Sequence, residues 1–435
     1  MAVGPGGGTM DGQDAPSGTR VVLPAPGVAA SPTAPGRAGP LLCWLVVVIA
    51  GYHLVVLGAT IPSLIRFGVL GFTPAAATLA ATASVAGMAV GAAAQSRSGT
   101  RHGRRQTLAV AVATSSAGLL LTPLAPDVTV FVLLRLLGGL GLGLGLPVVL
   151  GVAAERGVRR LRAGAWVSTG YHAGAVAAAV LGLVLLPDWR PLFVLGGVAG
   201  LVLLPLLALW RPVPAGSTRP ARGHEPSVRA LVSWQHRWVG VASVVASFMA
   251  LALVHGLNTW LPTLMRAAGH DRATSLQLLL VLNVGAALGL LGVAAVSQRL
   301  GGRRAVLLYF GLAAVGLALL GSPGSEVWQL VVVVLLTGAV VASTQALIQT
   351  YVARVVPPET RTAANGLVTG LGRVGAVAGV LGTGLLISSG LADPWAFHLL
   401  SAVALLGVLV MVVMTPRTVE LAVARPAVDS RVSAG

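Results

Sequence analysis

Hydrocarbon offers no partner to a backbone N–H or C=O, so a chain that crosses it repeatedly is limited to helix bundles or closed barrels. This sequence holds twelve apolar segments, near 41–65, 74–95, 107–125, 128–153, 164–186, 191–210, 238–262, 275–296, 305–321, 327–351, 363–387 and 395–415. Each approaches the ~20 residues that a helix needs to span a bilayer. Several are separated only by short turns such as Pro126–Asp127 or Leu186–Arg190. Charged residues make up only 9% of the chain, against about 25% in soluble domains. The expected fold is therefore an all-α membrane protein with twelve transmembrane helices.

All 29 basic residues are arginine, in a chain rich in Ala, Gly, Val and Leu. That bias points to a GC-rich bacterial genome. A net charge of +17 is also a nucleic-acid signal, but its placement argues against that partner. With the N-terminus inside, 23 arginines fall in cytoplasmic segments, four in outer loops (Arg66, Arg190, Arg266, Arg272) and two within helices. This is the positive-inside asymmetry, and it puts both termini in the cytoplasm of a multi-pass inner-membrane protein. The lone Cys43 excludes an internal disulfide and a cysteine metal cluster. Residues 1–40 and 416–435 read as cytoplasmic tails, the first disordered by its Gly, Pro, Ala and Ser content. It lacks the basic start and short apolar core of a signal peptide.

The two helix-interior arginines are Arg135 and Arg373. Each lies ~10–15 Å from its membrane entry at helical rise, where a lone arginine costs ~2.5–3.5 kcal/mol. No acid lies inside an apolar segment to pair with them; Glu155 stands at the end of its segment. A buried guanidinium without a carboxylate partner either bonds carbonyls and water or attracts an anion, whose carboxylate its fork can match. Gly139, Gly141, Gly143 and Gly145 follow Arg135, then Pro147; such small residues let helices approach closely.

The chain also repeats itself. Ile61-Pro62-Ser63-Leu64-Ile65-Arg66 matches Leu261-Pro262-Thr263-Leu264-Met265-Arg266, Arg104-Arg105 matches Arg303-Arg304, and His172-Ala-Gly-Ala-Val-Ala matches Arg373-Val-Gly-Ala-Val-Ala, at offsets of 200, 199 and 201. The expected layout is a six-helix half at 41–210, a basic cytoplasmic linker at 211–237 and a second half at 238–415. Parallel repeats with the substrate between them are a transporter architecture.

Taken with Gly51-Tyr52, Gly58 and Pro62, Gly103-Arg104-Arg105, Pro147 and Glu155, Asp188-Trp189-Arg190, Asn258-Thr259-Trp260-Leu261-Pro262, Pro357-Pro358-Glu359-Thr360-Arg361 and Gly370-Leu-Gly-Arg-Val-Gly, this pattern resembles the major facilitator superfamily. Within it, the chain is similar to the aromatic acid:proton symporters that import benzoate-type anions. The resemblance implies a cytoplasmic gate of Glu155 with Arg101, Gly103, Arg104 and Arg105, and with Arg303 and Arg304 in the second half. The acids that the family usually carries beside Gly-Tyr in helix 1 are here Ala50 and His53. Thr100 and Gln298 stand where loop acids would be.

These observations predict a monomeric secondary transporter that imports an aromatic carboxylate with protons by alternating access. It would be no enzyme and need no cofactor or metal. Arg135 and Arg373 are the expected anion ligands, with Trp260, Asn258 and Tyr52 lining the site. His53, with a reference pKa in the physiological range, is the first proton candidate, ahead of His172 and Glu155. Tyr171 is a softer candidate, and His255 is expected to be structural. Asn283, Gln345 and Gln349 read as interhelical bonding residues. Gly370-Leu-Gly-Arg-Val-Gly fits a dinucleotide fingerprint in spacing alone, because no strand precedes it. Proton-driven export of organic anions or drugs, and a non-coupled facilitator or receptor, remain alternatives.

Overall fold

A computed structural model of the chain describes residues 38–98, 103–154, 160–210, 237–322, 326–356 and 360–414. Among them are twelve α-helices long and apolar enough to cross a membrane. They are α1 (Ala38–Arg66), α2 (Pro74–Ser98), α3 (Gly103–Leu121), α4 (Val128–Ala154), α5 (Arg160–Leu185) and α6 (Arg190–Leu209), then α7 (Arg237–Ala267), α8 (Arg272–Leu300), α9 (Gly302–Leu320), α10 (Val327–Val355), α11 (Arg361–Ser388) and α12 (Trp395–Met414). The tails expected at 1–40 and 416–435, and the linker at 211–237, fall almost entirely outside the described residues.

The helices run past the apolar segments where a polar group can finish the turn. α7 continues to Ala267, beyond the expected end at 262. Pro262 is accommodated inside it, and Arg266 donates from Nη1 to the His270 carbonyl at 2.8 Å. At α8 the Asp271 side chain accepts from the Thr274 N–H at 2.9 Å, a helix N-cap. Arg105 donates to the Ala208 carbonyl at the end of α6, and Arg303 to the Val412 carbonyl near the end of α12. Both cations sit where a helix leaves carbonyls unpaired and its dipole is negative.

Lipid tails are as apolar as leucine, so packing between membrane helices rests on close approach rather than on water release. The glycines after Arg135 supply that approach on two faces. Gly139 and Gly143 press on the Ser84 and Met88 carbonyls of α2, and Gly87 and Gly91 of α2 press back on the Leu136 and Leu140 carbonyls. Gly141 and Gly145 turn instead to Ser115 and Ala111 of α3. Two-residue spacing on a helix places alternate glycines on different faces.

The same contacts recur about 200 residues later. Gly285 and Gly289 of α8 meet the Leu335 and Ala339 carbonyls, as Gly87 and Gly91 meet Leu136 and Leu140. Gly338 meets the Leu282 carbonyl as Gly139 meets that of Ser84. Gly375 meets the Phe248 carbonyl as Gly174 meets that of Val48. The internal repeat is thus a repeat of backbone contacts, consistent with two six-helix units.

The two groups of helices touch along three seams, α1 with α7, α2 with α11 and α5 with α8. Gly58 lies on the backbone of Asn258 and Thr259, Gly182 on Leu276, and Thr78 pairs with Ser388 at 3.3 Å. These contacts lie toward the bundle end opposite the one where α1 begins and α12 ends. Large apolar side chains such as Leu133, Val202, Leu288 and Val413 face outward, as a lipid-facing surface requires.

A Cβ at position 139 would collide with the Ser84 carbonyl. Gly139→Val is therefore expected to separate α2 from α4 and lower the unfolding midpoint in detergent by about 5 °C or more, at a cost of ~1–3 kcal/mol. Gly151→Val, at a position with open space, is expected to leave that midpoint within about 1 °C.

Candidate functional site

Arg135 is fully buried at 0% exposure. Its Nε donates to the Ser84 hydroxyl at 3.0 Å, and Nη2 donates to the His53 carbonyl at 2.6 Å. One side chain of α4 thereby ties α2 and α1. The guanidinium lies over the Phe193 ring at 5.7 Å, a cation–π contact. Phe193 belongs to an aromatic cluster with Phe72, Phe131 and Trp189. Nη1 is buried and has no hydrogen-bond partner. Arg373, half-buried on α11, likewise holds a buried Nη1 without a partner. The acids among the described residues (Asp127, Asp188, Asp271, Glu326, Asp393) all lie between helices.

Ser84 links Arg135 to a small cavity at the seam between the groups. Leu54 and Leu57 of α1, Ala81, Ser84 and Val85 of α2, Tyr171 of α5, and His255, Asn258 and Thr259 of α7 line it. About 10 Å³ is open to the centre of a water molecule, room for about one water. The Tyr171 ring meets the His172 ring at 5.1 Å and the His255 ring at 6.3 Å, edge to face in both cases. His255 lies within electrostatic reach of both His172 and Arg373.

His172 also bridges the groups, because its Nδ1 lies 2.8 Å from Asn283 Oδ1 of α8. The Asn283 Nδ2 donates to the Leu279 carbonyl at 3.0 Å, which identifies Oδ1 as the acceptor. His172 Nδ1 must then carry the proton, leaving Nε2 as the ring's basic nitrogen.

The other expected site residues separate into two sets. Asn258 lines the cavity, whereas Arg135, Arg373, Tyr52 and Trp260 do not; Arg135 reaches it only through Ser84. Tyr52 turns to α6, donating to the Leu192 carbonyl at 2.6 Å with its ring against Gly196. Trp260 donates to the Val380 carbonyl at 2.9 Å and packs on Gly384. Both aromatic rings serve packing between neighbouring helices. His53 is enclosed within the first six helices, its ring against Gly138 of α4 and facing the α3 backbone at Ser115 without closing a hydrogen bond.

Of the expected gate, Glu155 and Arg101 lie outside the described residues. Gly103 opens α3 with φ +75°, Arg104 is half-exposed and Arg304 exposed. The Arg105 and Arg303 bonds described above stay within their own six-helix groups. Gln349 donates to the Thr369 hydroxyl at 3.1 Å, and Gln345 accepts from the Ser247 hydroxyl at 3.0 Å, the interhelical bonding expected of them.

Sequence reasoning passed over Ser84, Thr259 and the placement of His255. A signal for the last two exists: residues 255, 258 and 259 are spaced i, i+3 and i+4, so they share a helix face with Asn258. Ser84 has no comparable signal, since serine among alanines reads as a packing residue.

Comparison with known proteins follows the same lines. The family model of the Major Facilitator Superfamily matches residues 43–320 and 280–432. The gentisate transporter of Corynebacterium glutamicum is 32% identical over 396 residues, covering 87% of each chain. The benzoate transport protein of Acinetobacter baylyi is 26% identical, covering 87% of this chain and 89% of its own. The crystal structure of a D-xylose-proton symporter superposes with a TM-score of 0.70 at 16% identity, over 88% of this chain and 98% of that one, a likeness of fold. With its twelve spanning helices, its repeated backbone contacts and these relatives, the chain is a multi-pass membrane protein and no enzyme, and it belongs to the Major Facilitator Superfamily.

Proposed function

We propose that this protein is a secondary active transporter that carries an aromatic carboxylate inward across a bacterial cytoplasmic membrane together with protons, with both termini cytoplasmic. The observation that carries the reading is the pair of buried, partnerless Nη1 groups on Arg135 and Arg373, in helices without an internal acid among the described residues. A carboxylate is the ligand whose charge and acceptor geometry satisfy such groups. Leu54, Leu57, Ala81 and Val85 give the cavity an apolar side for a ring among its polar groups, and the named substrates of the relatives, gentisate and benzoate, are aromatic acids.

Carrying one negative charge inward against an inside-negative potential costs about 2.3 kcal/mol per 100 mV, which one proton cancels. His172 suits the proton better than His53. It stands on the α5–α8 seam, where relative movement of the two groups alters its surroundings, and its Nε2 is left basic by the Asn283 bond. His53 sits inside one group, where such movement changes little. A cavity sized for one water admits a ring only after the α1–α7 and α2–α11 seams part, which is the step that alternating access supplies.

Purified protein in liposomes with an imposed pH gradient is expected to take up labelled benzoate or hydroxybenzoate saturably, with uptake abolished by a protonophore. A panel of aromatic and short aliphatic acids giving no gradient-dependent signal would sink the reading. Arg373→Ala is expected to raise KM at least tenfold, since a charge-assisted hydrogen bond contributes ~1.5–3 kcal/mol. Arg135→Lys is expected to lower both uptake and the unfolding midpoint, because an ammonium cannot hold Ser84 and the His53 carbonyl in the same geometry. His172→Gln is expected to leave substrate exchange between equal pools measurable while removing the dependence of uptake on the pH gradient. Retention of full gradient-driven uptake would exclude His172 as the proton carrier.

A further inference from the structure

The cavity holds two polar atoms whose chemistry a carboxylate and a bare ring leave unanswered. Asn258, at 5% exposure, donates from Nδ2 to the Val254 carbonyl at 2.9 Å. That bond fixes the amide orientation, because the reverse placement would set two acceptor oxygens against each other. Oδ1 is therefore an acceptor, and it is buried without a partner. The Tyr171 hydroxyl, on the same cavity, is also buried without a partner. A carboxylate has only acceptors and can offer Oδ1 nothing. Leu54, Leu57, Ala81 and Val85 on the same walls offer no donor, and the polar neighbours Ser84, His255 and Thr259 make no hydrogen bond to Oδ1.

We propose that Asn258 is a specificity-determining residue that accepts a hydrogen bond from a hydroxyl group on the substrate ring, with the Tyr171 hydroxyl as second partner, so that the transporter selects ring-hydroxylated aromatic acids over unsubstituted ones. The inference rests on the aromatic-carboxylate reading above and adds to it the feature that the site discriminates. The two ends of such a ligand then have separate partners. The arginine Nη1 groups take the carboxylate, and the α5–α7 wall takes the hydroxyl. A phenol supplies the donor that Oδ1 lacks and keeps an acceptor lone pair for Tyr171. A site built around a substrate hydroxyl rejects the analogue that lacks it, because the buried acceptor is then left unpaired.

The test compares benzoate, hydroxybenzoate and dihydroxybenzoate as substrates of the wild-type protein, Asn258→Leu and Tyr171→Phe in liposomes. Ligand-induced stabilisation of each in detergent is the second measurement. Wild type is expected to show a KM at least tenfold lower for a hydroxylated acid than for benzoate. Asn258→Leu is expected to shrink that ratio about tenfold, and Tyr171→Phe about threefold, with parallel losses in ligand-induced stabilisation. If Asn258→Leu is not recovered folded, Asn258→Ala and Tyr171→Phe carry the same comparison. Equal handling of benzoate and its hydroxylated forms by wild type would overturn the proposal while leaving aromatic-acid transport intact. So would variants that weaken all the acids by one common factor, which is the mark of a packing role. Failure of wild type to take up or bind any aromatic acid would overturn the transport reading and this inference with it.

Discussion

Close backbone approach at glycine is the constraint on which the rest of this bundle depends. In lipid there is little water to release from between helices, so they hold together through short-range packing and hydrogen bonds. The α2–α4 contact shows what this permits. Because Gly139, Gly143, Gly87 and Gly91 carry no side chains, the two backbones come close enough for Arg135 to reach Ser84 on α2, and Gly138 admits the ring of His53 on α1, whose carbonyl Arg135 also reaches. The glycines that follow the arginine in sequence are thus the reason its guanidinium can be buried. Two of its three nitrogens are engaged by the fold, and the third, Nη1, is buried without a partner among the described residues.

The repeat gives this arrangement a chemical asymmetry. Backbone contacts recur between the two groups of six helices, but the side chains at equivalent positions differ. His172 and Arg373 occupy repeat-related sites on α5 and α11. A duplicated scaffold can hold unlike groups in like positions, placing a fixed cation on one side of the seam and a titratable base on the other. The side-chain pairs on the seams include Thr78 with Ser388 and His172 with Asn283. Interactions of this size can exchange without disturbing the glycine packing inside each group.

Much of the fold was legible before the structure. Apolar length, arginine placement and three matches at offsets near 200 pointed to twelve helices in two units, because these are read along the chain without knowing how its segments pack. The site was legible in part. Arg135, Arg373 and Asn258 stood out as polar groups in apolar helices, and all three keep a polar atom without a partner. Tyr52 and Trp260 stood out for the same reason, yet each is satisfied by a carbonyl on a neighbouring helix. A sequence shows that a buried polar group needs a partner. It does not show whether that partner is protein or ligand.

By itself, then, the sequence determined that this chain spans a membrane twelve times, repeats after about 200 residues and buries two arginines without acids to match. Those conclusions follow from hydropathy, spacing and charge, which need no coordinates. Only the tertiary structure decided which polar atoms remain unpaired, that His172 rather than His53 stands on a seam, and that Ser84, His255 and Asn258 share a cavity. Such assignments depend on which face of each helix meets which neighbour. In lipid that is settled by where glycine lets two backbones approach, a relation between segments that no single segment records.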